Sequence, residues 1–563
     1  MNNPEFQILL VIGALATIVI AAMYVHGIAR VFLIAQAAYW SLSYVARPIV
    51  LLLVRPQPRF GDSIADPRLA TIGYDHGIAM VLRPVVFGLW VYAIIVVAYA
   101  VWIRHRPGRA RDMCVPVRSA DDANLIPTLW TIYAIGVLGR VVSYATGSTA
   151  SAGQTQSPNP ILSFVTLMAV IGALGLIVFY RPANRRATIA VIGALTVMEL
   201  MWTVAIESKT PIMGAALAIA VRFALTGWSR IKVVAIAVIS VLGIAAFGWL
   251  QAIKASALAK AQSEILDANY PAAMQPFLSI LRRFDLLEAA TDSYYLGGRP
   301  WLTLSDVAHH ALISMVPEQL LGTSKFQSGT AWAIEVRGSS VDMTRVSVSL
   351  AEGNINEGFV LGGYPGVAVG VIFTFALVLA GVRALHSRHI IPISMGLMLI
   401  EVPVFFERGI LGSMELLGKS LQVAILVWIV YLLVGEYRRR TEGSSKQLPQ
   451  ESPHTLVGAA RSKGWSGTSI SPIGMPAQSA ITPPFTVGPR RTRAAPVFFD
   501  RGILSRMELL GKSLQVAILV WIVYLLVGKH RRRTEGSSKQ KPQKPQEPPH
   551  REIALVGATL SKG

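Results

Sequence analysis

Long apolar segments recur along almost the whole chain, and they constrain its fold more than any other feature. The hydrocarbon core of a bilayer is about 30 Å thick, so a helix needs about 20 apolar residues to cross it. Only helices and closed barrels satisfy their backbone hydrogen bonds in lipid, and these segments are too long and too evenly apolar for barrel strands. We therefore predict an all-α, polytopic transmembrane helix bundle with about ten or eleven spans, near residues 7–25, 31–54, 79–103, 124–145, 160–180, 188–206, 211–228, 233–250, 362–384, 390–406 and 416–435.

The composition agrees with a chain that lies in a membrane. Of 563 residues, 53% are hydrophobic and 15% are charged, whereas soluble proteins carry about a quarter charged residues. The formal net charge of +21 would suggest a nucleic-acid partner in a soluble protein. Much of this charge lies in short loops and in the tail, so we interpret it as a determinant of topology with a minor attraction to anionic lipids, and we predict no nucleic-acid partner. The single cysteine, Cys114, cannot form an internal disulfide, and no Cys/His cluster indicates a metal site or another cofactor.

Basic residues occur in alternate loops and predict the orientation. Cytoplasmic loops carry an excess of Lys and Arg, and here the basic clusters follow the odd-numbered spans, at 104–111, 181–186, 230–232, 383–388 and 438–440. This pattern places the N-terminus outside the cell and predicts a multi-pass protein of the inner (plasma) membrane. The external loop at 55–78 is an exception because it contains three arginines, but three aspartates that could pair with them lie in the same loop, at Asp62, Asp66 and Asp75.

The same topology divides the chain into segments. Residues 1–250 contain spans one to eight, and residues 364–440 contain spans nine to eleven. Between them, residues 251–363 form an external loop that is much longer than ordinary connections, which favours a functional role. Its apolar patches are expected either to lie along the membrane surface or to form a small folded cap. Residues 441–495, rich in Ser, Pro and Gly, are predicted to be a disordered cytoplasmic linker.

The C-terminal segment 496–563 is a tandem duplicate of the last span and its basic tail. The sequence from Pro403 recurs from Pro496 almost unchanged, although Asp500 replaces Glu407. Only the last span is copied, unlike the inverted repeats of transporters. The copy either crosses the membrane, which would place its basic end outside, or lies against the membrane or packs elsewhere. We expect it to add no chemistry.

Polar residues at the predicted outer face are the candidates for chemistry. No metal motif, phosphate-binding loop, dinucleotide fingerprint or Ser-His-Asp signature occurs in a convincing context. The candidates follow span six, lie in the long loop, precede span nine, or follow span ten; they are Lys209, Arg282, Arg283, Asp285, Glu352, Asn356, Glu357 and Arg408.

The order and sidedness of these motifs resemble those of the bacterial oligosaccharide repeat unit polymerases, the O-antigen polymerase type of membrane protein. The resemblance covers roughly residues 1–440. The matching elements are Ser208-Lys209, Arg283-Phe284-Asp285, Pro317 followed by Lys325, Gly338-Ser339 through Glu352 to Asn356 and Gly358, and Arg408-Gly409. The chain departs from the family pattern in Glu357, which lies between Asn356 and Gly358, in the spacing from Pro317 to Lys325, and in the duplicated tail.

The resemblance implies a membrane glycosyltransferase of surface polysaccharide biosynthesis, which extends a glycan held on polyprenyl diphosphate at the outer face of the inner membrane. The implied partners are this lipid-linked oligosaccharide, membrane lipids, and flippase and chain-length regulator proteins. Cations would stabilise the departing diphosphate, and a carboxylate would accept the proton of the attacking hydroxyl. The expected substrate-binding residues are Lys209, Arg282, Arg283, Arg408 and Asn356, and the expected catalytic residues are Glu352, Asp285 and Glu357.

Several alternatives remain open at this stage. A loop arginine can form an ordinary surface ion pair, and Lys209 and Arg408 can be anchors at span ends. Glu199 and Glu401 lie within spans, where a carboxylate is either functional or paired inside the bundle. The alternative function is a transporter or flippase of a lipid-linked glycan or other amphiphile, which should place charges within spans and show repeat symmetry. A glycan ligase is a third possibility.

Overall fold

The computed structural model describes residues 3–59, 62, 64–105, 123–147, 160–182, 184–206, 210–227, 229, 232, 234, 265–272, 274–283, 285–296, 301–316, 326–338, 352–401 and 407–445. Within these ranges the regular structure is helical and contains no β-strand. The helices are α1 Pro4–Tyr24, α2 Ile28–Val54 (with a π-helical turn at Leu42–Ala46), α3 Pro67–Ile72, α4 Tyr74–His105, α5 Leu125–Ala145, α6 Pro160–Phe179, α7 Arg185–Ala205, α8 Thr210–Leu225, α9 Gln275–Arg283, α10 Leu286–Tyr295, α11 Leu304–Met315, α12 Ser328–Ala331 (continued by a π-helical turn at Trp332–Val336), α13 Asn354–Leu385, α14 Ile390–Glu401 and α15 Ile410–Ser445.

The long helices define an all-α membrane bundle. Eight of the described helices are long and apolar enough to cross a membrane, and the shorter apolar segments Thr210–Leu225 and Ile390–Ile400 accompany them. Helices therefore occupy ten of the predicted spans, while the span predicted at 233–250 lies outside the described residues except for residue 234. Large apolar side chains stay exposed on the outer surface of the bundle, such as Ile94, which is 64% exposed. Contact with lipid explains such a surface, which would be unfavourable in water.

Helix α13 is a helical hairpin and not one straight helix. Its backbone is non-helical at Gly362 and Gly363, and Gly363 has φ +59°, a left-handed conformation that favours glycine. The limb 354–361 folds back along the limb 364–385. As a result Gly358 touches the backbone of Gly366, and a Cβ on either glycine would overlap the other residue's carbonyl oxygen. The second limb alone has the length of the predicted ninth span.

Parts of the long loop pack into the bundle. Leu286 and Leu287 at the start of α10 are fully buried and belong to the main hydrophobic core. The Leu286 carbonyl accepts a hydrogen bond from Asn356 (3.2 Å), and Arg47 of α2 lies 3.8 Å from Glu288. The first apolar patch of this loop, expected either to lie along the membrane surface or to form a small folded cap, therefore packs onto the bundle, with α10 beside the π-helical turn of α2.

The contacts at the two ends of the bundle group the loops as the basic residues predict. At one end the Arg104 guanidinium lies 5.9 Å from the centre of the Tyr24 ring, and Arg438 donates to the Ala123 carbonyl. At the opposite end the charged residues of the 55–78 loop form ion pairs, Arg55 with Asp75 and Arg68 with Asp66, each at 2.8 Å. The pairing predicted for this loop is confirmed for Asp66 and Asp75, whereas Asp62 accepts a hydrogen bond from the Tyr270 hydroxyl at 2.8 Å.

The C-terminal part of the bundle extends past the predicted boundary. Helix α15 continues to Ser445, so the first residues of the predicted linker 441–495 prolong the last helix. The described residues all lie within one compact unit, Met1–Ser452. The rest of the linker and the duplicate 496–563 lie outside the described residues.

The orientation of the bundle can be tested with single cysteines in a Cys114→Ser background. We expect a cysteine at exposed Ser305, in the first turn of α11 in the long loop, to react with a membrane-impermeant thiol reagent in intact cells. A cysteine at exposed His389, between α13 and α14, should react only after the cells are opened. The reverse labelling pattern would overturn the predicted orientation.

Candidate active site

Two buried carboxylates hold the beginning of α15. Glu352 and Glu357 are 1% and 0% exposed. Glu352 Oε2 accepts a hydrogen bond from the Gly409 N–H at 3.2 Å. Glu357 accepts from the N–H groups of Ile410 and Leu411, the latter at 3.2 Å. These amides have no partner within their own helix, and negative charge is favourable at a helix N-terminus, so the two carboxylates serve as its cap.

Glycine residues allow this close approach. Gly353 has φ +69°, and its N–H donates to the carbonyl of Glu407 at 2.9 Å, which ties the start of α13 to the segment before α15. Gly409 leaves no space for a side chain, because a Cβ there would collide with the Glu357 carboxylate. In the Arg408-Gly409 pair of the sequence motif, Gly409 is therefore needed for packing.

The Glu352 carboxylate is the more available of the two acids. Its Oε1 atom is buried without a hydrogen-bond partner. Burial raises the pKa of this carboxyl to about 7, and the Gly409 N–H, the positive charge of Arg408 and the Ser328 hydroxyl oppose that shift. A carboxyl with this pKa can accept a proton near neutral pH, which is what a general base requires.

The structure brings together four of the predicted site residues. Arg408 is half-buried, and its charge acts on Glu352. Asn356 is 1% exposed, and its Nδ2 donates to the carbonyls of Leu286 and Glu352 and to the Tyr44 hydroxyl, at 3.2, 3.0 and 3.3 Å. These contacts join α13, α10 and α2, so Asn356 positions the Glu352 backbone. Its predicted role as a substrate contact is not visible in this geometry.

The remaining predicted residues lie at the edge of the site or beyond it. Asp285 precedes Leu286 and so borders the Asn356 contacts. Arg282 forms a half-buried ion pair with Asp267 at 2.6 Å, which is the ordinary alternative considered for a loop arginine. Lys209 and the Arg283 side chain lie outside the described part of the chain, so their roles stay predictions.

A network of buried ion pairs beside the site was not predicted. Asp292 is 0% exposed and accepts from Arg68 (2.6 Å), Arg337 (2.9 Å) and the Trp332 indole N–H (3.1 Å). Arg337 also contacts Glu288 at 3.0 Å. Burial raises the pKa of Glu288, while the charges of Arg337 and Arg47 oppose that shift. The one signal in the sequence was the cluster of arginines and aspartates in the 55–78 loop.

A second buried ion pair lies within the spans. Arg140 of α5 binds Glu199 of α7 through two hydrogen bonds of 2.7 and 2.9 Å, and the Trp202 ring lies 5.0 Å from the guanidinium. Glu199 is therefore paired inside the bundle, one of the two outcomes anticipated for it. The Glu401 side chain lies outside the described part of the chain.

The molecule is thus a multi-pass, all-helical membrane protein with a carboxylate pair and an arginine gathered at the start of its last described helix. Within the residues that the structure describes, no group of three or more His, Cys, Asp or Glu side chains could hold a metal ion. Comparison with known proteins finds no matching family, no matching curated protein and no matching solved structure.

Proposed function

We propose that this protein polymerises polyprenyl-diphosphate-linked oligosaccharide repeat units at the outer face of the inner membrane. The observation that carries the proposal is Glu352, a buried carboxylate with one oxygen free of hydrogen bonds and with Arg408 beside it. Both residues lie at the junctions that the basic loops assign to the outer side. The resemblance in motif order supports the same function.

The proposed reaction needs a proton acceptor and a cation, and the site has one of each. A sugar hydroxyl of one lipid-linked glycan attacks the anomeric carbon of another, and the bond from that carbon to the diphosphate oxygen breaks. Glu352 takes the hydroxyl proton, and the lipid diphosphate leaves with the bonding electron pair. Arg408 offers a planar fork of donors to the phosphate oxygens. Glu357 holds the start of α15 so that Arg408 and Glu352 stay together.

A transporter or flippase of a lipid-linked glycan is the second candidate, and two observations favour it. Helix α13 is interrupted at Gly362–Gly363, and interrupted helices form the binding sites of many transporters. The Arg140–Glu199 pair also places charge within spans. However, Arg140 and Glu199 bind each other through two hydrogen bonds, so neither is available to a substrate. Glu352 retains an oxygen without a hydrogen bond. The polymerase is therefore the better supported function.

Deletion of the gene from a cell that produces the protein separates the two functions. We expect long glycans to disappear and single lipid-linked repeat units to accumulate where an impermeant lectin reaches them on spheroplasts, because polymerisation follows export to the outer face. Re-expression of the full chain should restore the long glycans. Repeat units trapped on the cytoplasmic side, out of reach of the lectin, would support the flippase and reject the polymerase.

Chain extension should depend on pH through Glu352. Because the pKa of this carboxyl is raised to about 7, the proton-accepting form is scarce at pH 6 and predominates at pH 8. We expect the rate to rise about tenfold between pH 6 and pH 8, as for a single general base. The assay is extension of single lipid-linked units by the full chain in proteoliposomes, and a rate that stays constant over this interval would contradict the role of Glu352. The raised pKa also affects folding. The folded state holds this proton more tightly than the unfolded state, so the contribution of Glu352 to the free energy of unfolding is present at low pH and is lost as the pH rises through 7.

A further inference from the structure

Three aromatic residues of the long loop form a partly open surface, which we name the aromatic shelf: Trp301, His310 and Phe326. The rings of His310 and Phe326 are stacked, with centroids 4.1 Å apart and planes inclined by 16°. The rings of Trp301 and Phe326 are 6.2 Å apart. All three side chains are half-buried, so part of each ring is accessible.

Buried contacts behind the shelf hold it in place. Trp332, which is 0% exposed, packs edge-on against Trp301 with ring centroids 5.5 Å apart. Its indole N–H is bound to Asp292 at 3.1 Å, so the ion-pair network supports the shelf from below. Trp301 itself donates from Nε1 to Glu335 at 2.5 Å. A surface fixed in this way loses little conformational entropy when a ligand binds.

Uncharged and acidic side chains border the rings in the described part of the loop. Glu335 and Gln327 are exposed at the edge of the shelf, and Thr330 donates to Gln327 at 3.2 Å. The described residues 301–316 and 326–336 contain neither Lys nor Arg, and Arg337, which follows them directly, binds Asp292 and Glu288. An acyl chain on the rings would lie against a carboxylate and an amide. A sugar ring fits better, because its C–H face can stack on an aromatic ring while its hydroxyls bond to Glu335 and Gln327.

The shelf is also connected to the candidate active site. Phe326 precedes Ser328 by two residues, and a hydrogen bond from the Ser328 side chain lowers the pKa of Glu352. We propose that the aromatic shelf binds the glycan of the lipid-linked intermediate and holds the growing chain next to Glu352. This proposal rests on the proposed function and adds a glycan-binding subsite to it. The shelf would govern how long the chain stays bound and therefore how long it grows.

The test combines binding with chain length. The probe is the lipid-free repeat-unit oligosaccharide, released by mild acid from the lipid-linked intermediate and titrated by saturation-transfer NMR against the full chain in nanodiscs. We expect Trp301→Ala and Phe326→Ala each to weaken binding about threefold to tenfold and to shorten the modal chain length in cells. Trp301→Phe keeps a ring and should retain most of the binding.

The controls separate the possible causes. Trp102→Ala removes a tryptophan that is 39% exposed near the C-terminal end of α4, and it should leave oligosaccharide binding unchanged. Glu335→Gln changes an exposed side chain, so it tests the shelf even if the alanine variants fail to accumulate, and it should weaken binding. Wild-type binding and chain length in these shelf variants would overturn the proposal. Unchanged binding in variants that insert poorly into the membrane would overturn it as well, because poor insertion alone would then explain the shorter chains. Failure of the proposed function would instead appear as a wild-type chain that binds the oligosaccharide and joins no units.

Discussion

Glu352→Gln is expected to lower the rate of chain extension by about 10²–10⁴, the usual range for loss of a general base. Glutamine keeps the shape of the side chain and can still accept the Gly409 N–H, so the fold should tolerate the change. Arg408→Ala is expected to lower the rate by about 10²–10³, because it removes a fixed charge that would stabilise the departing diphosphate. The measurement is the length distribution of lipid-linked glycan in cells that express each variant at matched levels.

Matched controls lie on α15, the helix whose start Glu352 and Glu357 cap. Glu436 and Arg440 form an exposed i,i+4 ion pair near the C-terminal end of α15. Glu436→Gln and Arg440→Ala make the same chemical changes as the two site variants, and wild-type glycan lengths are expected from both. Wild-type lengths from Glu352→Gln and Arg408→Ala as well would reject the candidate active site.

Asp292→Ala should produce the largest loss of stability, about 3–5 kcal/mol, the range found when one partner of a buried ion pair is removed. The substitution takes the shared carboxylate away from Arg68, Arg337 and Trp332. We expect a lower midpoint of thermal unfolding in nanodiscs and faster proteolysis within the loop that contains α10. Asp75→Ala is the control, because its pair with Arg55 is more than half exposed, and such pairs contribute about 0–1 kcal/mol. Equal losses from the two variants would show that the network does not fix the loop.

The sequence was sufficient to predict the spans because lipid imposes a simple condition on them. Every backbone group must bond within the helix, and about 20 apolar residues are needed, so segments such as α4 and α5 can be located without knowledge of their neighbours. The pairing of arginines with aspartates in the 55–78 loop was also predictable, since both partners lie within 20 residues of each other.

The insertion of α10 and the hairpin in α13 were not predictable by the same arguments. Asp292 binds Arg68, 224 residues away in sequence, and a single aspartate in a long loop has many possible partners. The turn in α13 depends on the conformation of Gly362 and Gly363, but glycines inside an apolar segment are equally typical of ordinary helix packing. At the site, the sequence identified Glu352, Glu357 and Arg408 as candidates. It could not predict that the two carboxylates cap α15, because the capped amides lie more than 50 residues further along the chain.

The contact between Gly358 and Gly366 affects how mutational scans of this protein should be interpreted. Neither residue has a side chain that could take part in a reaction, yet a single methyl group at either position would push the two limbs of α13 apart. Glu352 and Glu357 lie just before and within the first limb, so they would move away from the start of α15. A scan for loss of activity would then score these two glycines like Glu352 and Glu357. Only substrate-binding measurements on the purified variants would separate the residues that react from the residues that hold the reacting groups in place.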